Sequence, residues 1–261
     1  MVPLVGLVWI GGGLDTFRYG SSGELRDRQM RYRLDLYGQV VRGPWTLAAD
    51  APLMHNRILD DPATPPVPCS SDYCANLTSV GEAGLELRYT RAWVTPMLAV
   101  RTDFWNAGTR HRWANAGLGA TSVVGRVGLV ANPGEWRLSA VPYYALVIGT
   151  EVNGERLPYD HTGAALTAAH SLGPTWTEVT LSGMTRLGGV DHGPEWTAAY
   201  GPEWIWAGLR YQELRAEVKT GMEIRGLWWS LYASRVLVQR NGPRDAWSFG
   251  VGAARTVRDP G

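Results

Sequence analysis

Apolar and polar residues alternate with period two along nearly the whole chain. From Met30 to Gly38 the even positions Met30, Tyr32, Leu34 and Leu36 are apolar or aromatic, whereas Arg31, Arg33 and Asp35 between them are charged. Ala83, Leu85, Leu87 and Tyr89 interleave with Gly84, Glu86, Arg88 and Thr90. Over 213–225, Leu214, Ala216, Val218, Met222 and Ile224 alternate with Glu213, Arg215, Glu217, Lys219, Glu223 and Arg225. Such runs predict strands with one greasy and one charged face, and no helical period competes with them. A soluble sandwich also has two-faced strands, but these are usually about 5–6 residues long. The alternations here persist for roughly 9–13 residues, the length that crosses a bilayer at a tilt.

Turn signals divide the runs. A recurring turn-and-tryptophan unit appears as Gly43-Pro44-Trp45, Pro133-Gly134-Glu135-Trp136, Gly173-Pro174-Thr175-Trp176, Gly193-Pro194-Glu195-Trp196 and Gly201-Pro202-Glu203-Trp204, with Arg91-Ala92-Trp93 as a looser version. Gly and Pro close tight turns, and a Trp entering the next strand sits where a membrane interface would be. The units are irregularly spaced and match no propeller blade. Trp45, Trp93, Trp136, Trp176 and Trp204 are therefore expected in an aromatic girdle. Short connections fall near 41–44, 91–92, 132–135, 173–174, 201–202 and 225–227, and longer ones near 13–27, 54–80, 105–111, 149–161, 188–194 and 241–245. This alternation is that of bacterial barrels, with short periplasmic turns and longer outer loops. If 203–211 is a full strand, the count is fourteen strands; if 195–212 is a hairpin above the membrane, it is twelve.

Composition fits this reading. A chain of 261 residues with 13 Trp, 32 Gly and a mean hydropathy of −0.16 looks soluble on average. A barrel strand shows lipid only at every second residue, so its mean hydropathy stays near neutral. No run of about 18 apolar residues is present, which excludes a helical membrane protein. Basic and acidic residues number 25 and 24, so a nucleic-acid binder is not expected. The expected organisation is one domain over 1–261: an all-β, closed, antiparallel up-and-down transmembrane barrel.

The two cysteines, Cys69 and Cys74, lie in the long connection 54–80 beside Pro62, Pro65, Pro66 and Pro68. In an exported protein such a pair reads as a local disulfide rather than two free thiols. The beginning of the chain, Met1-Val2-Pro3-Leu4-Val5, has no basic segment, and no small-residue cleavage site follows Ile10. It reads as a mature chain with a start Met or as a cytosolic one, and the cysteines favour export.

The charged face is where function is expected. Arg31, Arg33, Asp35, Glu86, Arg88, Arg101, Asp103, Glu178, Glu213, Arg215, Glu217, Lys219, Glu223 and Arg225 share the inward parity of their strands. Both signs are present, so the lumen is expected to be wet and laced with salt bridges. Ladders that reach across the bore would hold it narrow or closed; ladders along its wall would leave room for ions and small polar solutes.

Catalytic chemistry is not expected. His170 has outward parity near a short turn and pairs opposite Thr177, whereas Ser182, the nearest strand serine, points inward. A lipase on the lipid-facing wall needs Ser and His together. Asp191, His192 and Glu195 lie close in sequence, as do Asp160 and His161, but such groupings are common by chance in polar loops. Neither a metal site nor a cofactor is expected.

The stretch Tyr37-Gly38, the following turn, Trp45-Thr46-Leu47 and Pro52-Leu53 is similar to strand-turn-strand units of barrels in the family associated with meta-pathway degradation of phenols. Trp247, Phe249, Val251 and Ala253 alternate with Ser248, Gly250, Gly252 and Ala254, and resemble the closing strand of Gram-negative outer-membrane barrels. The resemblance implies a porin-like protein of the Gram-negative outer membrane that admits small molecules and is surrounded by lipid and lipopolysaccharide. A different class of function, a barrel anchoring other proteins of a cell-envelope complex, is motivated by the proline-rich connection and the Trp196–Trp206 stretch.

Overall fold

Each alternating run forms a strand, and each strand of the wall hydrogen-bonds to its neighbours in sequence. The computed structural model describes residues 5–18, 28–59, 76–103, 121–148, 151–152, 155–156, 160–189, 210–240 and 244–258. The strands are β1 (Val5–Arg18), β2 (Arg28–Arg42), β3 (Trp45–Leu59), β4 (Asn76–Val80), β5 (Glu82–Tyr89), β6 (Val94–Asp103), β7 (Thr121–Ala131), β8 (Trp136–Ile148), β9 (Glu151–Val152), β10 (Glu155–Arg156), β11 (His161–Leu172), β12 (Thr175–Arg186), β13 (Gln212–Ile224), β14 (Leu227–Arg240) and β15 (Arg244–Arg258). The small β9–β10 hairpin stands apart from the main sheet.

The main sheet closes because β1 pairs antiparallel with β2 on one side and with β15 on the other. β4 and β5 share one wall position. β3 pairs with β5 through Asp50↔Gly84 and with β4 from Leu53↔Val80 outward, so Ala51 and Pro52 face Gly81, Glu82 and Ala83. Pro52 has no N–H to give, and its carbonyl accepts the Gly81 N–H at 2.7 Å. The resulting bulge lets the wall turn without losing its edge.

The barrel thus has twelve strands, the count that follows when 195–212 adds nothing to the wall, and not fourteen. β12 pairs directly with β13 from Thr175↔Met222 to Thr185↔Gln212, and no strand is inserted between them. The units at 193–196 and 201–204 repeat the sequence signal of a tight turn, but such a signal does not specify which end of a barrel it occupies. The connection 54–80 is also shorter than expected, since 54–59 extend β3 and 76–80 form β4. Cys69, Cys74 and Trp204 lie outside the described residues.

Among the described residues five connections are tight: 43–44, 90–93, 132–135, 173–174 and 225–226. Gly43 (φ 59°) and Gly173 (φ 58°) each precede a proline in a two-residue loop, while Arg225 (φ 53°) and Gly226 (φ 76°) both adopt left-handed geometry. These are the primed hairpin turns, whose twist matches the flanking strands. Both ends of the ring, Val5 and Arg258, pair at this same end. The long connections all leave from the other end, so the short turns mark the periplasmic rim.

Parity sorts the side chains. Outward positions are apolar and open: Val8 57%, Leu166 54% and Leu231 59% exposed. In water so continuous an apolar belt would aggregate; in a bilayer it is solvated. Inward, Ala99, Val124 and Ala145 on β6, β7 and β8 are buried, with Tyr143 packed against them.

Candidate functional site

The inner wall carries the candidate site. On β2, Arg33 lies 3.2 Å from Asp15 of β1 and 4.0 Å from Asp35, and donates a hydrogen bond to the Tyr232 hydroxyl on β14. On β13, Arg215 binds Glu213 at 2.8 Å and reaches the Ser234 and Ser248 hydroxyls at 3.4 Å each. Tyr211 donates to the other Glu213 oxygen. Around the ring, Arg101 of β6 forks onto both Asp50 oxygens of β3, at 2.6 and 3.2 Å, and its Nε lies 3.5 Å from Glu82. Glu86 of β5 is buried and accepts from Arg88 and, at 2.9 Å, from Arg126 of β7.

These contacts run along the wall. Arg101–Asp50 passes over β5, Arg126–Glu86 passes over β6, and the Arg33–Tyr232 bond passes over β1 and β15. None of them joins opposite sides of the ring. Of the two arrangements expected from sequence, ladders along the wall are the one found among the described residues.

A cavity of about 680 Å³ opens inside the barrel against this wall, bordered by Arg31, Arg33, Asp35, Asp50, Glu82, Arg101 and Lys219 together with Trp9, Tyr37 and Met54. The opposite arc differs. On β8 and β11, between Arg137 toward the periplasmic rim and His161 at the loop end, the inward positions Val141, Tyr143, Ala145, Gly163, Ala165 and Thr167 carry no charge. The bore is therefore charged on one side and neutral on the other.

Arg31, Arg33, Asp35, Glu86, Arg88, Arg101, Glu178, Glu213, Arg215, Glu217 and Lys219 share the inward parity of the buried positions on their strands and are themselves buried or half-buried. Asp103 closes β6 at the loop end, opposite Glu82. Glu223 shares the inward parity but is exposed near the periplasmic rim. Arg225 departs from expectation: it sits in the β13–β14 turn with positive φ, beyond the wall.

Trp45 and Trp136 are exposed on the outer face at the rim, 49% and 50%, and Trp93 lies in its turn at 64%. Trp176 does not join them. It pairs with Gly221, faces inward, and its ring stands 5.6 Å from the Lys219 ammonium. The cause is one residue: Trp45 opens its strand directly after Gly-Pro, whereas Thr175 intervenes before Trp176, and a shift of one position reverses the face.

His170 is on the outer face opposite Thr177, with its Nε2 3.2 Å from Glu135 and its ring against Trp136. Asp160 accepts the Val147 N–H at 2.8 Å, so it fastens the end of β8. Asp191, His192 and Glu195 lie outside the described residues.

The parity of the charged runs did not reveal Asp15, Asp50, Glu82, Arg126 and Tyr232. Asp15 follows Gly11-Gly12-Gly13, and Asp50 sits among alanines, so neither strand displays a polar alternation. Counting by two from the next strand turn would have found Asp50, on the face of Thr46 and Ala48.

By sequence the chain matches no protein-family description and no curated protein. By structure it is similar to the COG4313 outer membrane channel from Pseudomonas putida F1, with a TM-score of 0.70 and 14% identity over 98% of this chain and 96% of that one. It is also similar to the translocator domain of autotransporter NalP from Neisseria meningitidis, with a TM-score of 0.53 and 12% identity over 99% of this chain and 89% of that one. Closed ring, apolar belt and one-sided loops agree with that likeness, and the chain is a twelve-stranded β-barrel of the Gram-negative outer-membrane type.

Proposed function

We propose that the barrel is a non-enzymatic channel that passes ions or small polar solutes across the outer membrane. The observation that carries this reading is the 680 Å³ cavity against ion pairs that run along the wall instead of crossing the bore. A ring of twelve strands is wider than the eight-stranded kind that side chains fill. Because Arg and carboxylate neutralise one another along the wall, the path offers hydrogen-bonding partners of both signs without a deep trap for either ion. The similarity to a protein described as an outer membrane channel supports the same reading.

The test is electrical. Purified, refolded protein added to a planar bilayer gives discrete conductance steps. Silent bilayers, with insertion confirmed by heat-modifiable migration on a denaturing gel, overturn the reading.

A further inference from the structure

The outer face carries a second feature that conduction does not use. Among the strand residues whose side chains are described, the outward Asp, Glu, Lys and Arg positions hold arginine alone: Arg42 and Arg255 near the periplasmic rim, Arg235 in the outer half of β14, and Arg240 at its loop end. Arg235 is exposed, and among the described residues its guanidinium stands over an aromatic ring, 4.8 Å from the Trp247 centroid on β15. Trp247 stacks in turn on Phe249, with rings 5.9 Å apart and 3° from parallel. Across the strand on its other side Arg235 faces the small residue Ala216.

Depth makes the charge conspicuous. Trp247 pairs with Arg235 three residues from the loop end of β15, and beyond Arg235 the apolar residues Leu237 and Val238 are still 52% and 63% exposed. A cation near the outer edge of the lipid-facing belt lies at the depth of the headgroups, where an anionic group of the lipid can meet it. Guanidinium forks onto phosphate with two parallel hydrogen bonds, and a flat ring behind it holds its plane. We propose that Arg235, backed by Trp247 and Phe249, is a binding site for a phosphate of lipopolysaccharide in the outer leaflet, with the acyl chains lying against Leu231 and Phe249.

The test uses purified full-length barrel in detergent and native mass spectrometry with bisphosphorylated lipid A as the probe. Wild type binds one lipid A that Arg235→Gln loses at least ten-fold in affinity, while Arg255→Gln, at the opposite rim, binds as wild type does. Removing the phosphates from lipid A brings wild type down to the level of Arg235→Gln. Equal binding by wild type and Arg235→Gln, or undiminished binding of dephosphorylated lipid A, overturns the proposal. Competition by millimolar inorganic phosphate at the same affinity would make this a free-anion site and overturns the lipid assignment. Asp245 lies two residues toward the loop end on β15; if Asp245→Asn and Arg235→Gln lower thermal stability non-additively without lipid A, the arginine serves that carboxylate and the proposal fails. Variants are compared only where heat-modifiable migration is retained, and Arg235→Lys, which keeps charge but not the fork, falls between wild type and Arg235→Gln.

Discussion

Tyr232 meets Arg33 across the seam where the barrel closes. The tyrosine stands on β14 and the arginine on β2, and the phenol ring spans the two intervening strands by lying flat over Gly250 and Gly13. One level lower, Trp9 of β1 lies over Gly11 of its own strand and Gly252 of the adjacent β15. These glycines are the floor on which two aromatic straps rest, and the straps join the first and last strands of the ring.

A methyl group at Gly250 would overlap the Tyr232 ring, and the strand backbone cannot withdraw to make room. Gly250→Ala is expected to lower stability by about 1–3 kcal/mol through overpacking, read as a lower urea midpoint for loss of the compact band on a gel. Gly125→Ala is the control. Its Cβ would meet nothing within 4 Å, and reduced freedom of the unfolded chain makes it neutral or stabilising by about 0.4–1 kcal/mol. A Gly250→Ala midpoint no lower than that of Gly125→Ala would show that the straps carry no stability.

The same residues show what sequence could and could not convey. Period-two alternation over 30–38, 83–90 and 213–225 was enough for the barrel, because a half-buried strand has no other way to satisfy both faces. It fails over Gly11-Gly12-Gly13, where the inward positions are glycine because the Trp9 ring of the same strand lies over Gly11 and the Tyr232 ring of β14 reaches Gly13. The Tyr232 contact is a long-range fact with no local signature. Trp176 and Arg225 show a second limit. A girdle position and a lumen position differ by one residue, and the turn type sets the phase. The count of fourteen strands has a third cause, since a Gly-Pro turn signal followed by Trp is local and does not specify whether the next segment enters the wall.

Glu86 is 5% exposed and receives two guanidinium groups, Arg88 and Arg126. Glu86→Gln keeps its volume but removes the charge, leaving two half-buried cations facing the bore. In a salt gradient across a planar bilayer the reversal potential is expected to shift toward that of chloride. An unchanged reversal potential in a conducting Glu86→Gln channel would mean that permeating ions do not pass this wall.

Arg225 adopts φ 53° without being glycine, at the first position of a turn in which both residues are left-handed. L-residues pay roughly 1–2 kcal/mol for that geometry, and asparagine pays least after glycine. Arg225→Asn is therefore expected to raise the urea midpoint, by about 1 kcal/mol when converted through the slope. Since Arg225 lies beyond the wall, conductance should not change; a lowered midpoint would place a stabilising contact on its guanidinium.

The sidedness of the ring can be read in the cell. Arg186 ends β12 and Gln212 begins β13 at the same end of the ring, and the Arg186 N–H binds the Tyr211 carbonyl there at 2.8 Å. Leu187 is therefore on the outer side and Pro133, in the β7–β8 turn, on the periplasmic side. In a background lacking Cys69 and Cys74, intact cells treated with a membrane-impermeant maleimide should label Leu187→Cys and not Pro133→Cys. Cells with a permeabilised outer membrane should label both. Labelling of Pro133→Cys alone in intact cells would invert the barrel and with it the outer-leaflet position of Arg235, whereas labelling of Leu187→Cys alone fixes every long connection outside, because strands of a closed antiparallel ring alternate in direction.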